Sequence, residues 1–425
     1  MVPFPLNRRQ QTNPVPVYLV LAAGQSLCFS LFFTVQLIYQ VTVVGLNPLQ
    51  MVLVGTVLEV TCVVFEIPTG IVADVYSRRA SILVGVALIG GGYLLEGGIP
   101  AFWAALGSQV LWGVGYTFTS GATQAWITDE IGEAAARPIF LRGRQMWLAG
   151  GLAGTLLSVS LGLLQIQVPM VLAGVGMLAL TAGLVRVMPE TRRRGAPSDA
   201  RSAFRHLAAT GRDGFRVAMA RPVVKVIVAI SLVTGLAAEA WDRLYIPSAI
   251  ARFDFPTLFG TDSPVLWFGI SGAVGTLLGL GASEIFIRTN PAALAAGTPA
   301  RLLAVCAAIQ VVAVATFAVS GNLWLAFGML WVRTIVGAVG QPVESAWLNL
   351  NLDASTRATV ISMTGQANSL GQVAGGPALG WVGHAASLRV ALLGSALVLA
   401  PTVALYRRLI VRDRGTTQPV PTPIR

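Results

Sequence analysis

The chain has 425 residues, of which 55% are hydrophobic and 11% are charged, and its formal net charge is +11. A soluble globular domain carries about 25% charged residues, so this composition excludes an ordinary water-soluble fold. The mean hydropathy of +0.72 arises from long apolar runs, and about twenty apolar residues are enough to cross a bilayer as a helix. The sequence therefore predicts an α-helical membrane protein.

Prolines, glycines, asparagines and charged clusters divide the chain into twelve predicted membrane spans. Spans 1 to 6 cover residues 17–40, 48–70, 80–98, 101–128, 140–164 and 167–189, and spans 7 to 12 cover residues 223–250, 264–287, 299–320, 322–349, 357–382 and 386–410. We expect an all-α membrane protein with two six-helix bundles, at residues 1–189 and 223–410. A basic cytoplasmic linker over 190–222, with a surface helix around 203–219, joins the bundles, and residues 411–425 form a cytoplasmic tail.

The basic residues are concentrated in every second connection between spans. These connections hold Arg78 and Arg79, Arg137, Arg192–Arg194 and Arg357, whereas connections such as 41–47, 98–100 and 165–168 carry no charge. Basic loops remain on the cytoplasmic side of a membrane. The sequence therefore predicts that both termini are cytoplasmic, which agrees with an even number of spans.

A repeat relates the two halves of the sequence. A shift of 221 residues places Ala125–Ile127 on Ala346–Leu348, and Gly150 and Gly154 on Gly371 and Gly375. Because six spans separate the two copies, both copies cross the membrane in the same direction. We expect the two bundles to be pseudo-symmetric, related by an axis along the membrane normal.

A charged motif stands between spans 2 and 3, with the sequence Glu66-Ile-Pro-Thr-Gly70-Ile-Val-Ala-Asp74-Val-Tyr-Ser-Arg78-Arg79. Gly70 is expected to allow a close helix approach, Asp74 places an anion at a helix end, and the two arginines supply cations in a tight turn. The motif resembles the signature loop of the major facilitator superfamily. Its Glu-Ile-Pro-Thr-Gly start and Tyr-Ser-Arg-Arg end resemble the macrolide/tetracycline efflux branch of the drug:proton antiporters. Ser77 departs from the pattern, because the family usually has glycine there.

This resemblance implies the major facilitator fold and secondary transport by alternating access. In that family the loop latches one state of the transporter. Its aspartate, here Asp74, lies against the start of span 11 and an acid at the end of span 4, here Asp129. Antiporters of this kind often carry a Gly-Pro motif in span 5. Here Gly150–Gly154 has no proline, and Gly-Pro occurs instead in span 11, at Gly376-Pro377. The sequence leaves the direction of transport open.

Ionisable side chains within a bilayer are costly and commonly mark function. Five carboxylates in predicted spans are candidates for proton coupling, namely Glu59, Glu66, Glu239, Asp242 and Glu344. Glu59 has no basic residue within helical reach, so it must be protonated, solvated or paired across helices. Glu239 and Arg243 are four residues apart and can form an ion pair on one helix.

In the superfamily, spans 1, 4, 7 and 10 line a central cavity. The resemblance therefore implies a substrate cavity lined by Gln25, Gln36, Trp112, Tyr116, Thr119, Thr123, Trp126, Trp241, Asp242, Tyr245 and Arg333. Such a wall is aromatic and amphipathic with few charges, which suits a lipophilic or cationic small molecule. Any one of the aromatic residues could equally face lipid or pack between helices.

Other chemistries are poorly represented in the sequence. The two histidines, His206 and His384, are far apart, the three cysteines lie within predicted spans, and no phosphate-binding Gly-x4-Gly-Lys loop is present. We therefore expect no enzyme activity, no metal, no cofactor and no direct use of ATP. The basic charge lies between apolar spans and not on a soluble domain, so nucleic acid is not an expected partner.

The resemblance implies a monomeric, multi-pass transporter of a bacterial cytoplasmic membrane. Its expected partners are a small-molecule substrate, protons or another coupling cation, and the lipid bilayer. Proton-coupled efflux of a drug-like molecule is the first interpretation. A proton-coupled importer or a dedicated metabolite exporter of the same superfamily is the alternative.

Overall fold

The computed structural model is almost entirely α-helical in the part of the chain that it describes, which comprises residues 12–191, 216, 219–290, 299–351 and 354–416. Side chains are described within these ranges except at 348–351, 354–358 and 410–416. Seven helices are α1 (Pro14–Thr42), α2 (Pro48–Val75), α3 (Arg78–Gly98), α4 (Phe102–Thr119), α5 (Ala122–Ile131), α6 (Glu133–Gly162) and α7 (Gln167–Val187). Those that follow are α8 (Pro222–Ile250), α9 (Pro264–Thr289), α10 (Ala300–Val319), α11 (Leu323–Asn351), α12 (Ala354–Ala385), α13 (Leu388–Leu399) and α14 (Pro401–Thr416).

Two predicted spans are each broken into two helices. Gly121, with a φ of 72°, separates α4 from α5, so the continuous span predicted over residues 101–128 is wrong. Glycine adopts this left-handed conformation without the strain that a side chain would add. Pro401 begins α14 directly after Ala400, because proline lacks the amide hydrogen that would continue α13. The other predicted spans correspond to single helices, and α2 continues through Gly70 to Val75.

Within the described residues, nine helical segments are long and apolar enough to cross a bilayer. They are α1, α2, α3, α7, α8, α9, α10, α11 as far as Trp347, and α13 with α14 as far as Leu409. Large apolar side chains such as Leu277 and Leu397 are well exposed on these segments. In a soluble protein such surfaces would be a liability, but they suit contact with lipid. The chain is a multi-pass membrane protein.

Contacts between residues group the chain into two compact units. Unit 1 comprises Met1–Leu207 and Phe255–Ile270, and unit 2 comprises Ala208–Asp254 and Ser271–Arg425. Helices α1 to α7 therefore belong to unit 1, α8 and α10 to α14 belong to unit 2, and α9 begins in unit 1 and continues in unit 2. The predicted surface helix around residues 203–219 lies almost wholly outside the described residues.

The repeat predicted from the sequence corresponds to one helix contact that occurs in each unit. In unit 1, α6 packs on α1, and a Cβ atom on Gly150 or Gly154 would lie 2.3 Å from the carbonyl oxygen of Ala23 or Leu27, respectively. Only glycine allows two helix backbones to approach this closely. The glycines therefore set the distance between α1 and α6.

Unit 2 contains the equivalent contact between α12 and α8. A Cβ atom on Gly371 or Gly375 would lie 2.3 Å from the carbonyl oxygen of Leu232 or Leu236. These glycines follow Gly150 and Gly154 by 221 residues. The predicted repeat is thus confirmed at these positions, and its physical cause is the same close helix pair in both bundles.

Candidate functional site

The connection between α2 and α3 forms an ion-pair network within unit 1. The Arg78 guanidinium lies 3.3 Å from Asp74 Oδ1 and 2.5 Å from Asp129 Oδ2, and it also donates to the Ala125 carbonyl oxygen at 2.7 Å. Asp129 is at the end of α5, so the loop contacts the acid that the resemblance implied. Asp74 lies within the last turn of α2, and its side chain is 60% exposed. No described atom lies within 4 Å of a Cβ placed on Gly70, so the close helix approach expected there is wrong.

Arg79 binds a different helix from Arg78. Its guanidinium donates to the carbonyl oxygens of Met188 and Val185, at 2.9 and 2.7 Å. The carbonyl groups in the last turn of a helix have no partner within that helix, so an arginine stabilises them as a cap. The two arginines of the motif therefore tie α3 to the ends of two different helices, α5 and α7.

Ser77 makes two contacts that a glycine at this position could not make. Its hydroxyl accepts from the Ala80 amide at 2.9 Å, as an N-cap of α3, and donates to Glu190 Oε1 at 2.6 Å. Nearby, the Thr191 amide and hydroxyl both donate to the Glu130 carboxylate, at 2.9 and 2.6 Å. The residues just after α7 are therefore held against the motif.

Unit 1 contains a cavity of about 430 Å³ between α1, α4, α5 and α6. Four predicted cavity residues line it, namely Gln25, Tyr116, Thr119 and Thr123. Its other wall was not predicted from the sequence and includes Tyr18, Phe29, Gln124, Phe140, Arg144 and Trp147. Three of these six residues, Phe140, Arg144 and Trp147, belong to α6, a helix that the four-span rule leaves out. Arg144 is the one charged residue among those that line this cavity.

Aromatic rings pack around the same cavity. Phe29 meets Trp147 edge to face, with the ring centroids 5.6 Å apart, and Tyr116 stacks on Trp112 at 5.3 Å. The Trp112 indole donates to the Tyr93 hydroxyl at 3.1 Å, so it supports Tyr116 from behind. This arrangement gives the cavity a rigid aromatic wall.

Two predicted cavity residues lie inside the bundle instead. Gln36 is 1% exposed, and its amide donates to Glu96. Trp126 is 2% exposed, and its indole donates to the Pro189 carbonyl oxygen at 2.9 Å. Their assignment to a cavity wall is corrected, because each polar atom is engaged within unit 1.

The predicted candidates on α8 and α11 form a cluster in unit 2. Arg333 lies 3.7 Å from Asp242 Oδ1 and 4.8 Å from the ring centroid of Trp241, and Trp241 stacks on Tyr245 at 5.6 Å. The side chain of Asp242 is 56% exposed. The structure therefore brings together all four candidates of this half, with one anion and one cation over an aromatic surface.

Glu239 and Glu344 occupy different surroundings within unit 2. Glu239 is 3% exposed and accepts from Arg243 Nε at 3.0 Å, which confirms the predicted pair. Glu344 is half-buried at a cavity of about 440 Å³ and is the one charged residue among those that line it. The other polar lining residues of that cavity are Ser231, Thr234, Gln310, Gln341, Asn368, Thr402 and Tyr406.

Glu59 and Glu66 lie on α2 in unit 1. Glu59 is half-buried and Glu66 is exposed, and both are close enough to Cys62 and Tyr116 to interact with them electrostatically. Glu59 makes no hydrogen bond or ion pair with the described residues. Tyr116 lines the unit 1 cavity, whereas neither of these carboxylates does.

Sequence reasoning missed Glu96, a carboxyl group near the end of α3. It is 1% exposed and accepts hydrogen bonds from three glutamine side chains, Gln36, Gln40 and Gln109. A signal was present in the sequence, because Gln36 and Gln40 share one face of span 1. Their common partner on another helix could be found only from the fold.

Comparisons with known proteins identify the fold. No protein-family model matches the chain, and no curated protein is a significant match. The nucleoside transporter NupG matches with a TM-score of 0.70 and 13% identity, over 94% of this chain and 99% of that one. A bacterial homologue of the human lysosomal transporter Spinster matches with a TM-score of 0.71 and 14% identity, over 95% and 98%. A POT family transporter in complex with 5-aminolevulinic acid matches with a TM-score of 0.72 and 11% identity, over 97% and 99%.

These likenesses extend over nearly the whole length of each chain. The fold of this chain is therefore the major facilitator fold, with twelve membrane-spanning helices in two pseudo-symmetric six-helix bundles. Identities of this size do not carry a substrate or a mechanism from one protein to another. The site itself must supply the functional argument.

Proposed function

We propose that this protein is a secondary transporter that exports a lipophilic or cationic small molecule across a bacterial cytoplasmic membrane in exchange for protons. It works by alternating access, with both termini in the cytoplasm. The observation that supports the proposal best is the aromatic cavity of unit 1, which combines ring faces with glutamine and threonine side chains. The fold is compatible with it, since the solved structures that match are transporters.

The composition of the cavity suits such a solute. Its volume of about 430 Å³ falls within the range of about 300–1,000 Å³ that small-molecule pockets occupy. Tyr116, Phe29 and Trp147 present aromatic surface to a lipophilic solute or to a cation. Gln25 and Thr123 supply neutral donors and acceptors that can orient the solute, and Arg144 is the one charged lining residue beside them.

Proton coupling is assigned to carboxylates within the bundles. Glu59 is half-buried and has no hydrogen-bonded or ionic partner among the described residues. Asp242 pairs with Arg333 at 3.7 Å, so protonation of Asp242 would release the arginine. In this scheme, protonation of Glu59 and Asp242 biases the equilibrium between the two access states. Glu66, Glu239 and Glu344 are the further candidates.

The gating role is assigned to the motif between α2 and α3. Arg78 joins Asp74 to Asp129 within unit 1, and the exposed face of Asp74 remains able to contact a second group. The group that the resemblance implies as a partner for Asp74, at the start of span 11, lies outside the residues whose side chains are described.

A second candidate function rests on Arg144. This residue places one fixed cation in the unit 1 cavity, with no lining carboxylate beside it. A guanidinium group recognises carboxylate or phosphate groups well. An importer coupled to protons, or a dedicated exporter, of an anionic or zwitterionic metabolite is therefore the alternative.

Transport assays in proteoliposomes test both candidates. An imposed pH gradient is combined with a panel of tetracyclines, macrolides and dye cations, and with a nucleoside, a dipeptide and 5-aminolevulinic acid. Export of a member of the first group against counter-moving protons supports the first proposal. Uptake of a member of the second group with co-moving protons supports the alternative. An unaltered solute distribution for the whole panel, equal to that of the Asp74→Asn variant, contradicts both.

A further inference from the structure

One carboxyl group and three carboxamide groups are buried together in unit 1, and we call them the Glu96 cluster. Its members are Glu96 of α3, Gln36 and Gln40 of α1, and Gln109 of α4, and each is at most 2% exposed. Four polar side chains at one buried point are costly to place in a membrane bundle unless they bond to one another. Their arrangement therefore calls for a chemical explanation.

The three amides surround the carboxyl group. Gln40 Nε2 is 2.7 Å from Glu96 Oε1, and Gln36 Nε2 is 3.2 Å from both carboxyl oxygens. Gln109 Nε2 is 3.4 Å from Oε2. An ionised carboxylate accepts hydrogen bonds only, so this set of N–H donors suits the charged form.

The same cluster also suits the protonated form. Gln40 Oε1 is buried and has no hydrogen-bond partner among the described atoms. If the Gln40 amide turns over, this oxygen takes the place of Nε2 and accepts the O–H of a protonated Glu96. The observed separation of 2.7 Å equals the usual O–H···O distance of about 2.7–2.8 Å. The N–H···O bond from Gln40 to the carboxylate is replaced by an O–H···O bond from the carboxylic acid to Gln40. The number of hydrogen bonds between these two side chains is therefore the same in the charged and the protonated state.

The cluster lies close to an exposed helix end. Glu96 is two residues from the end of α3 at Gly98, and Gly98, Ile99 and Pro100 are exposed. Glu96 therefore lies within one helical turn of exposed backbone, which places the buried carboxyl group close to the surface of unit 1. A metal cation fits the cluster poorly, because N–H groups occupy the positions around the carboxylate where oxygen ligands would be needed.

Two tyrosines interact with Glu96. The Tyr39 hydroxyl of α1 donates to the Glu96 carbonyl oxygen at 3.0 Å, and Tyr93 of α3 interacts with the carboxyl group electrostatically. Helix α4 contains no charged residue, and α7 contains only Arg186, in its last turn, whereas Met170 in its first turn packs near Gly97. Two acids on other helices contact α3, namely Asp74 of α2 and Asp129 of α5. Both pair with Arg78, which is at the opposite end of α3 from Glu96.

We propose that Glu96 is a proton-binding site, and that the Gln40 amide turns over when the carboxyl group gains or loses its proton. The site belongs to unit 1 alone and does not rest on the proposed transport function. In the charged state Gln40 of α1 donates a hydrogen bond to Glu96 of α3, and in the protonated state Gln40 accepts one from it. Protonation at this point would therefore change how these two helices are joined.

Infrared spectra of the purified full-length protein in lipid nanodiscs, recorded as a function of pH, test the proposal. The wild type is expected to show a carboxylic-acid C=O band that disappears as the pH rises, and Glu96→Gln is expected to remove this one band. Glu284→Gln is the matched control, because Glu284 is a 57% exposed side chain on α9. The control is expected to leave the band of the buried acid unchanged.

A second variant covers the case in which Glu96→Gln does not fold. In Gln36→Met the Glu96 carboxylate loses the N–H donor that lies between its two oxygens. The charged form is then less stable, so the carboxylic-acid band should persist to a pH about one unit higher. This shift corresponds to a roughly tenfold increase in proton affinity. Three results would overturn the proposal. They are an unchanged spectrum in Glu96→Gln, a Glu96 band that does not titrate between about pH 4 and pH 10, or an unshifted titration in Gln36→Met.

Discussion

The hydroxyl of Ser77 donates to the carboxylate of Glu190 at 2.6 Å while it caps the first turn of α3. Ser77 thereby connects the loop that follows α2 to the segment that follows α7. A glycine at this position would leave α3 without its side-chain cap and would leave Glu190 without this donor. Serine at this position therefore supplies a bond that glycine could not make.

Replacement of this serine should destabilise unit 1. In Ser77→Ala we expect a loss of about 1–2 kcal/mol, because a helix cap and a hydrogen bond to a carboxylate are removed together at a partly exposed site. Thermal unfolding in detergent measures the effect. Ser160→Ala is the control, since the Ser160 hydroxyl bonds only to the Leu156 carbonyl of its own helix. If Ser77→Ala and Glu190→Gln lower Tm additively in the double variant, the two residues are not coupled and the interpretation is wrong.

The glycines between α1 and α6 should tolerate no side chain. A Cβ atom on Gly154 would lie 2.3 Å from the Leu27 carbonyl oxygen, so Gly154→Ala must push the helices apart, at a cost of about 1–3 kcal/mol or more. The same change at Gly375, against Leu236 in unit 2, should have a similar effect.

Gly183→Ala in α7 provides the matched control for these substitutions. No described atom lies within 4 Å of its added Cβ, and alanine is the better helix former by about 1 kcal/mol, so this variant should be neutral or more stable. Thermal unfolding of Gly154→Ala, Gly375→Ala and Gly183→Ala measures these differences in stability. Equal losses of Tm at Gly154 and Gly183 would mean that helix contact is not what requires glycine at residue 154.

Substitutions of the two acids that pair with Arg78 should affect stability and transport to different degrees. Asp129 is 27% exposed and Asp74 is 60% exposed, and the less exposed ion pair contributes more. Asp129→Asn is therefore expected to lower Tm more than Asp74→Asn. The order is expected to reverse for transport, since the gating role is assigned to Asp74, whose side chain is the more exposed of the two. The same rank order in both assays would argue against a separate gating role for Asp74.

The amino-acid sequence predicts the positions of most helices, but it predicts only partly which helices pack against one another. Apolar length and basic loops define twelve spans because the bilayer imposes both properties on the chain. The break at Gly121 is not visible in the sequence, because a single glycine is also compatible with a continuous helix. Its φ of 72° is imposed by the surrounding fold.

Candidate residues are predicted less reliably, because helical periodicity shows which residues share a face and not what that face contacts. Tyr116 and Thr119 line a cavity, but Trp126 on the continuation of the same predicted span bonds to Pro189 instead. The contribution of Trp147 required knowledge that α6 packs on α1. Glu96 looks like an ordinary residue near a span end until its three glutamine partners are brought together from two other helices.

The aromatic wall of the unit 1 cavity should determine solute affinity. In Trp147→Ala the cavity loses the ring that meets Phe29, and we expect the half-saturating solute concentration to rise about tenfold, which corresponds to about 1.4 kcal/mol. Trp381→Ala is the control, because Trp381 is 61% exposed and lines neither described cavity. Equal half-saturating concentrations in the wild type and Trp147→Ala would remove this cavity from the solute pathway.

The ion pair between Asp242 and Arg333 should be needed for proton coupling and not for folding. The pair is long, at 3.7 Å, and the Asp242 side chain is 56% exposed, whereas Glu239 is 3% exposed and bonds to Arg243 at 3.0 Å. Breaking the buried pair in Glu239→Gln should therefore cost about 3–5 kcal/mol. Asp242→Asn should leave Tm close to that of the wild type.

The double variant Asp242→Asn/Arg333→Gln tests the assignment directly, because it removes both charges and leaves neither unpaired. We expect it to fold and to exchange solute across proteoliposomes at equal pH. It should fail to concentrate the solute when a pH gradient is imposed, since the group that binds the proton is gone. Glu59→Gln should show the same pattern if both carboxylates belong to one coupling mechanism. Full accumulation by the double variant would show that Asp242 serves solute binding or packing alone, and would leave Glu59 to carry the coupling proton.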